Sequence, residues 1–125
     1  MKRILVVDDN PAIGKVAKLA LESTGAYEVF TETVGARAVA TIRECRPDLI
    51  LLDIMMPGTD GIDVVVALHE EADLRHIKVV FLTALLRKGE VTRSGSHRVL
   101  AKPVSTYELR TIIEQELGNR IADSA

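Results

Sequence analysis

The sequence predicts an α/β domain, a doubly wound (βα)₅ unit whose five-stranded parallel sheet is covered by helices on both faces. Two observations predict it. Five short apolar runs of strand length show no alternation of apolar and polar residues, the pattern of a strand buried on both sides. Between them lie longer stretches whose apolar residues recur every three or four positions, as on one side of a helix. A chain of 125 residues with 47% apolar and 27% charged residues is one domain's worth.

The first run is "RILVV", Arg3–Val7. Pro11 suits a first helical turn and Asn10 its cap, and Ile13, Val16, Ala17, Ala20 and Leu21 form the first helical stripe. After the break at Gly25 comes "YEVFTE", then a second stripe of Ala38, Val39, Ile42 and Cys45, ended by Pro47. "DLILLD", Asp48–Asp53, is the third strand, and Ile62, Val65, Val66 and His69 form the third stripe. "IKVVFL", Ile77–Leu82, is the fourth strand. The helix expected between Thr83 and Gly95 is short or irregular, because Gly89 interrupts it and few turns remain to absorb a cost of about 1 kcal/mol. "HRVLA", His97–Ala101, is the fifth strand. In the final helix Ser105 and Glu108 make a capping box before Leu109, Ile112, Ile113 and Leu117, and Gly118 is a stop. These signals bound a domain at residues 1–118, with 119–125 ("NRIADSA" from Asn119) as a tail or truncated linker. For five strands wound in this way the natural order is the flavodoxin-like 2-1-3-4-5.

Composition narrows the function. A net charge of −2 with no cluster of Lys or Arg argues against direct nucleic-acid binding, and no helix-turn-helix follows the last helix. No apolar run approaches a membrane span and no signal peptide is visible, so a cytoplasmic setting is expected. Cys45 is the lone cysteine, which rules out an intrachain disulfide and suits a small buried hydrophobe. His69, His76 and His97 lack metal-ligand spacing.

The strand ends carry the chemistry. The first ends in Asp8-Asp9, the third in Asp53, the fourth in Thr83 and the fifth in Lys102-Pro103. In an open α/β sheet ligands bind beyond the carboxyl ends of the strands. Three carboxylates gathered there repel one another unless a cation joins them, and hard oxygen ligands of this kind suit Mg²⁺. Metal and lysine together reverse the repulsion that carboxylates exert on phosphate, leaving one carboxylate oxygen as nucleophile. Plainer roles exist for each residue: Asp9 as a helix cap, Thr83 as a loop hydroxyl, Lys102 in a surface salt bridge. Asp53 is the hardest to dismiss, since it ends the most apolar strand and precedes the turn-rich "IMMPGTDG".

The motifs "ILVVDDNP", "PDLILLDIMMPGTDGID", "VVFLTA" and "VLAKPV", in this order along nearly the whole chain, resemble the receiver domains of bacterial response regulators, the chemotaxis regulator among them. The resemblance implies that Asp53 accepts a phosphoryl group from a histidine kinase or phosphotransfer protein, with Mg²⁺ as cofactor. It implies that Asp9 binds the ion directly, that Asp8 acts through water, and that Met55 donates its backbone carbonyl. Thr83 matches the hydroxyl that moves to the phosphoryl group, Ala84 the small residue beside it, and Lys102 the lysine that pairs with a phosphoryl oxygen. The Lys102–Pro103 bond matches one usually cis. Such a domain is a switch, and its self-dephosphorylation does not make it a turnover enzyme; the downstream target is not legible.

Two departures stand out. Val99 occupies a position where receivers usually carry Tyr or Phe, and the stretch from Thr83 to Lys102 is a few residues short. These favour an alternative in which the fold serves as an interaction module without phosphorylation. A phosphatase or flavin enzyme on this architecture is disfavoured: the second Asp of the phosphatase motif is absent after strand one, and no phosphate-cradling Gly/Ser/Thr loop replaces it.

Overall fold

The computed structural model describes residues 1–84, 93–94 (backbone alone) and 97–118. Strand β1 (Lys2–Val7) leads to helix α1 (Pro11–Glu22), β2 (Tyr27–Glu32) to α2 (Ala38–Cys45), and β3 (Leu49–Asp53) to α3 (Gly61–His69). Between β3 and α3 lies a small hairpin, β4 (Met55–Met56) and β5 (Thr59–Asp60). Strands β6 (Lys78–Thr83), β7 (Arg93–Ser94) and β8 (His97–Ala101) follow, then α4 (Thr106–Leu117).

The main sheet runs β2-β1-β3-β6-β8-β7. Its five long strands are parallel and keep the expected order 2-1-3-4-5, and the two-residue β7 pairs antiparallel with β8 at the edge. The expected fourth helix and the tail fall on residues 85–92, 95–96 and 119–125, outside the described residues.

The absence of alternation now has its cause. Ile4, Val6, Leu49, Leu51, Val80 and Leu82 pack with Ala17 and Leu21 of α1 and with Leu109, Ile112 and Ile113 of α4. Their neighbours along the strands, Leu5, Val7, Ile50, Leu52, Val79, Phe81 and Val99, face α2 and α3. Every position of β3 is buried, and a fully buried leucine contributes roughly 1.5–3 kcal/mol.

Local signals hold at several helix ends. Asn10 caps α1 by accepting the Ala12 amide, and the Ser105–Glu108 capping box is complete. Cys45 is buried against the core, and burial pushes its thiol pKa up.

Two helical stripes differ from expectation. On α1 the buried residues are Gly14, Ala17 and Leu21, while Val16 is 51% exposed. On α3 they are Gly61, Val64, Val65 and Leu68; Ile62, Val66 and His69 face outward. This segment, "GIDVVVALH", is apolar nearly all round, so spacing alone does not fix its rotation. Gly61 does: a Cβ there would lie 2.5 Å from the carbonyl oxygen of Asp53, so only glycine fits, and this contact turns Val64 and Leu68 inward.

Candidate functional site

Register assembles the site. Val7 of β1 pairs with Leu52 of β3, so the residues that follow them, Asp8 and Asp53, emerge side by side. Asp53 pairs with Leu82 of β6, setting Thr83 one residue further along the neighbouring strand. Thr83 pairs in turn with Ala101 of β8, and its carbonyl accepts the Lys102 amide at 2.8 Å. The Lys102–Pro103 peptide is cis.

One carboxylate oxygen from each of Asp8, Asp9 and Asp53 falls within 4.8 Å of the other two. Asp8, Asp53 and Thr83 are buried, whereas Asp9 is exposed at the mouth. The Lys102 ammonium lies 2.7 Å from Asp8 Oδ2 and 3.3 Å from Asp53 Oδ2. The Asn10 amide donates to Asp8 Oδ1 at 2.9 Å, and the Met55 amide to Asp53 Oδ1 at 3.3 Å. All six expected residues thus meet at one edge of the sheet.

Burial and then the adjacent charge of Asp8 raise the Asp53 carboxyl pKa above the ordinary value; Lys102 and the Met55 amide offset part of this. For Lys102, burial alone would lower the pKa. The hydrogen bond and charge of Asp8, with those of Asp53, outweigh it and raise the pKa, so the side chain stays an ammonium.

The donor set fits a divalent cation. Three carboxylates converge here against one ammonium, and the ligating atoms are hard oxygens, as Mg²⁺ prefers. Asp9 is exposed, which leaves it open to an ion arriving from solvent.

Sequence reasoning missed three features. The Asp60-Gly61 pair reads as a turn, yet Asp60 caps α3 by accepting the Ile62 amide at 2.8 Å, and Gly61 opens the helix against Asp53. An Asp-Gly pair just before an apolar helix was the available signal. The β4–β5 hairpin that carries Met55 is too short to show a period. A cavity of 190 Å³ beside Lys102, lined by Ile13, Val16, Pro103, Val104 and Leu109, joins residues far apart in sequence.

Comparison with known proteins agrees with this geometry. The response regulator receiver domain family matches residues 4–114. The polar-differentiation response regulator DivK of Brucella anthropi is 34% identical over 121 residues, covering 94% of this chain and 98% of that protein. Among solved structures, the receiver domain of the sensor histidine kinase PA1611 from Pseudomonas aeruginosa, which holds a magnesium ion in its active-site cleft, superposes with a TM-score of 0.78 at 30% identity, over 94% of this chain and 98% of that one. A response regulator from Chloroflexus aurantiacus superposes with a TM-score of 0.80 at 25% identity, over 94% and 98% of the two chains. With the fold, the strand-end acids and the family match in agreement, the chain belongs to the response regulator receiver domain family.

Proposed function

We propose that this chain is a phosphoacceptor switch in which Asp53 takes a phosphoryl group from the phosphohistidine of a histidine kinase or phosphotransfer protein. The observation that carries the reading is Asp53 at the end of a wholly buried strand, with Asp8 beside it and the Lys102 ammonium 3.3 Å away. Asp8, Asp9 and Asp53, with the Met55 carbonyl, would hold Mg²⁺. Bound there, the ion supplies positive charge against the carboxylate and the incoming phosphoryl oxygens.

An oxygen of Asp53 attacks phosphorus in line; the P–O bond forms as the P–N bond breaks, and the imidazole leaves. Lys102, already aimed at Asp53, neutralises a second phosphoryl oxygen, and the Thr83 hydroxyl donates to a third. Water later hydrolyses the acyl phosphate. Val16, exposed on α1 and lining the cavity beside Lys102, gives the donor an apolar foothold next to the crevice. The reading takes residues 1–118 as the switch and 119–125 as a tail or linker. It sets the chain in the cytoplasm with no membrane or nucleic-acid contact of its own; among the described residues no helix is long and apolar enough to cross a membrane.

Incubation with Mg²⁺ and acetyl phosphate, followed by intact-mass measurement, tests this. Wild type gains one phosphoryl group, and Asp53→Ala or chelated wild type gains none. Equal uptake by Asp53→Ala would overturn the assignment. A second reading, an interaction module that works unphosphorylated, draws on Val99, which is buried in the core where an aromatic is usual. Equal partner affinity for wild type and Asp53→Ala would favour it.

A further inference from the structure

Glu32, the last residue of β2, lies beside the crevice without facing it. Its carbonyl accepts the Asp8 amide at 3.1 Å. Its carboxylate, only 11% exposed, accepts the Thr41 hydroxyl at 2.6 Å and the Val34 amide at 3.0 Å, with Arg37 at 4.0 Å. These bonds hold the β2–α2 connection in a single 3₁₀ turn, Gly35–Arg37.

That turn is pressed against the hairpin that carries Met55. Gly35 is buried, and a Cβ on it would lie 2.8 Å from Thr59 Cβ and 3.2 Å from Met56 Cε. Met55 pairs with Asp60 and Met56 with Thr59, so the two arms of the hairpin are tied together. At one end of the hairpin the Met55 amide bonds Asp53; at the other, Gly61 abuts the Asp53 carbonyl. A continuous path of contacts thus runs from Asp8, through Glu32 and Gly35, to Met55, without passing along β3.

We propose that Glu32, Thr41 and Gly35 form a strut that positions the Met55 peptide relative to Asp8 and so sets the affinity of the crevice for a divalent cation. The inference rests on reading Asp8, Asp9, Asp53 and Met55 as the Mg²⁺ site. None of the three strut residues offers a group to the ion; they are positioning residues. Neighbours of this kind, which orient ligands without touching the metal, typically alter affinity when changed.

The test is Mg²⁺ titration of the full 125-residue chain, without phosphodonor, by calorimetry and by backbone amide NMR shifts. Gly35→Ala forces the turn off Thr59 and is expected to raise the Mg²⁺ Kd roughly tenfold or more. The Met55 and Gly61 amide resonances should already be displaced before metal is added. Thr59→Gly in the same chain reopens the space and should recover much of the affinity. Thr41→Val, which removes one hydrogen bond to Glu32 and adds no atom at the contact, should raise Kd in the same direction by less. A lowered melting temperature with Mg²⁺ Kd unchanged in both Gly35→Ala and Thr41→Val would overturn the strut, reducing these residues to packing. Failure of wild type to bind Mg²⁺ would instead remove the reading of the site, and the strut with it.

Discussion

The ammonium of Lys102 lies 2.7 Å from Asp8 Oδ2, nearer than the 3.3 Å that separates it from Asp53. Lysine therefore serves as counter-ion to two buried acids. Lys102→Met leaves both without a cation. Removing one partner of a fully buried pair costs about 3–5 kcal/mol, and since the Lys102 side chain remains 19% exposed a loss of about 1–3 kcal/mol is expected. Chemical denaturation in EDTA measures it, and saturating Mg²⁺ should recover most of the loss. Phosphoryl uptake should slow by roughly 10²-fold.

Asp53 gives stability a pH dependence of opposite sign to that of an ordinary paired carboxylate. Its pKa is raised in the folded state, so the fold binds the proton more tightly than the unfolded chain does. That contribution is complete below the unfolded pKa and is lost as pH rises through the folded one. Asp53→Asn escapes the loss and keeps the Asp8–Lys102 pair. In EDTA at neutral pH its melting temperature should exceed wild type by roughly 2–8 °C, the shift that about 1 kcal/mol gives a small domain. The gap should narrow on acidification and close or reverse with Mg²⁺. Superimposable pH series for the two proteins would count against the raised pKa.

Gly61→Ala places a carbon 2.5 Å from the Asp53 carbonyl oxygen and 3.0 Å from Ile54 Cα, both backbone atoms that cannot rotate aside. A stability loss of about 1–3 kcal/mol is expected. Phosphoryl uptake at saturating Mg²⁺ should fall too, although no reactive group has been removed, because the strand end that bears Asp53 must shift. Stability and uptake measured on the same preparation separate the two effects.

Met55 is 61% exposed at the crevice mouth, and its thioether, a weak acceptor with no donor, is a poor group for orienting an attacking water. The acyl phosphate should accordingly last minutes or longer. Met55→Gln adds a hydrogen-bonding group there and should shorten the lifetime roughly tenfold, the scale of one new hydrogen bond in the transition state. Decay of the phosphorylated mass after donor removal checks both values, and a wild-type lifetime of seconds would contradict the first.

What was legible in the sequence was local. Strands buried on both faces announce themselves as unbroken apolar runs, and the polar residues that end them, Asp8, Asp53, Thr83 and Lys102, had only to be carried to a common edge by parallel pairing. Caps at Asn10 and Ser105 act within three residues and could be read directly. The rotation of α3 could not, because Val64, Val65 and Val66 are chemically alike and a distant backbone contact at Gly61 decides among them. The same holds for the seat of Gly35 on Thr59 and for the cavity beside Lys102, where the partners are far apart in the chain.

Val99 stands opposite Phe81 in the sheet and is 5% exposed. A β-branched side chain so enclosed is restricted about χ1, and it carries no ring to swing. On the proposed reading of the chain as a switch, a change at this edge would be a translation of main chain, handed from Thr83 to Lys102 through the bond that joins them, and not the pivoting of a ring. Probes of aromatic orientation would find this switch silent while backbone probes found it speaking.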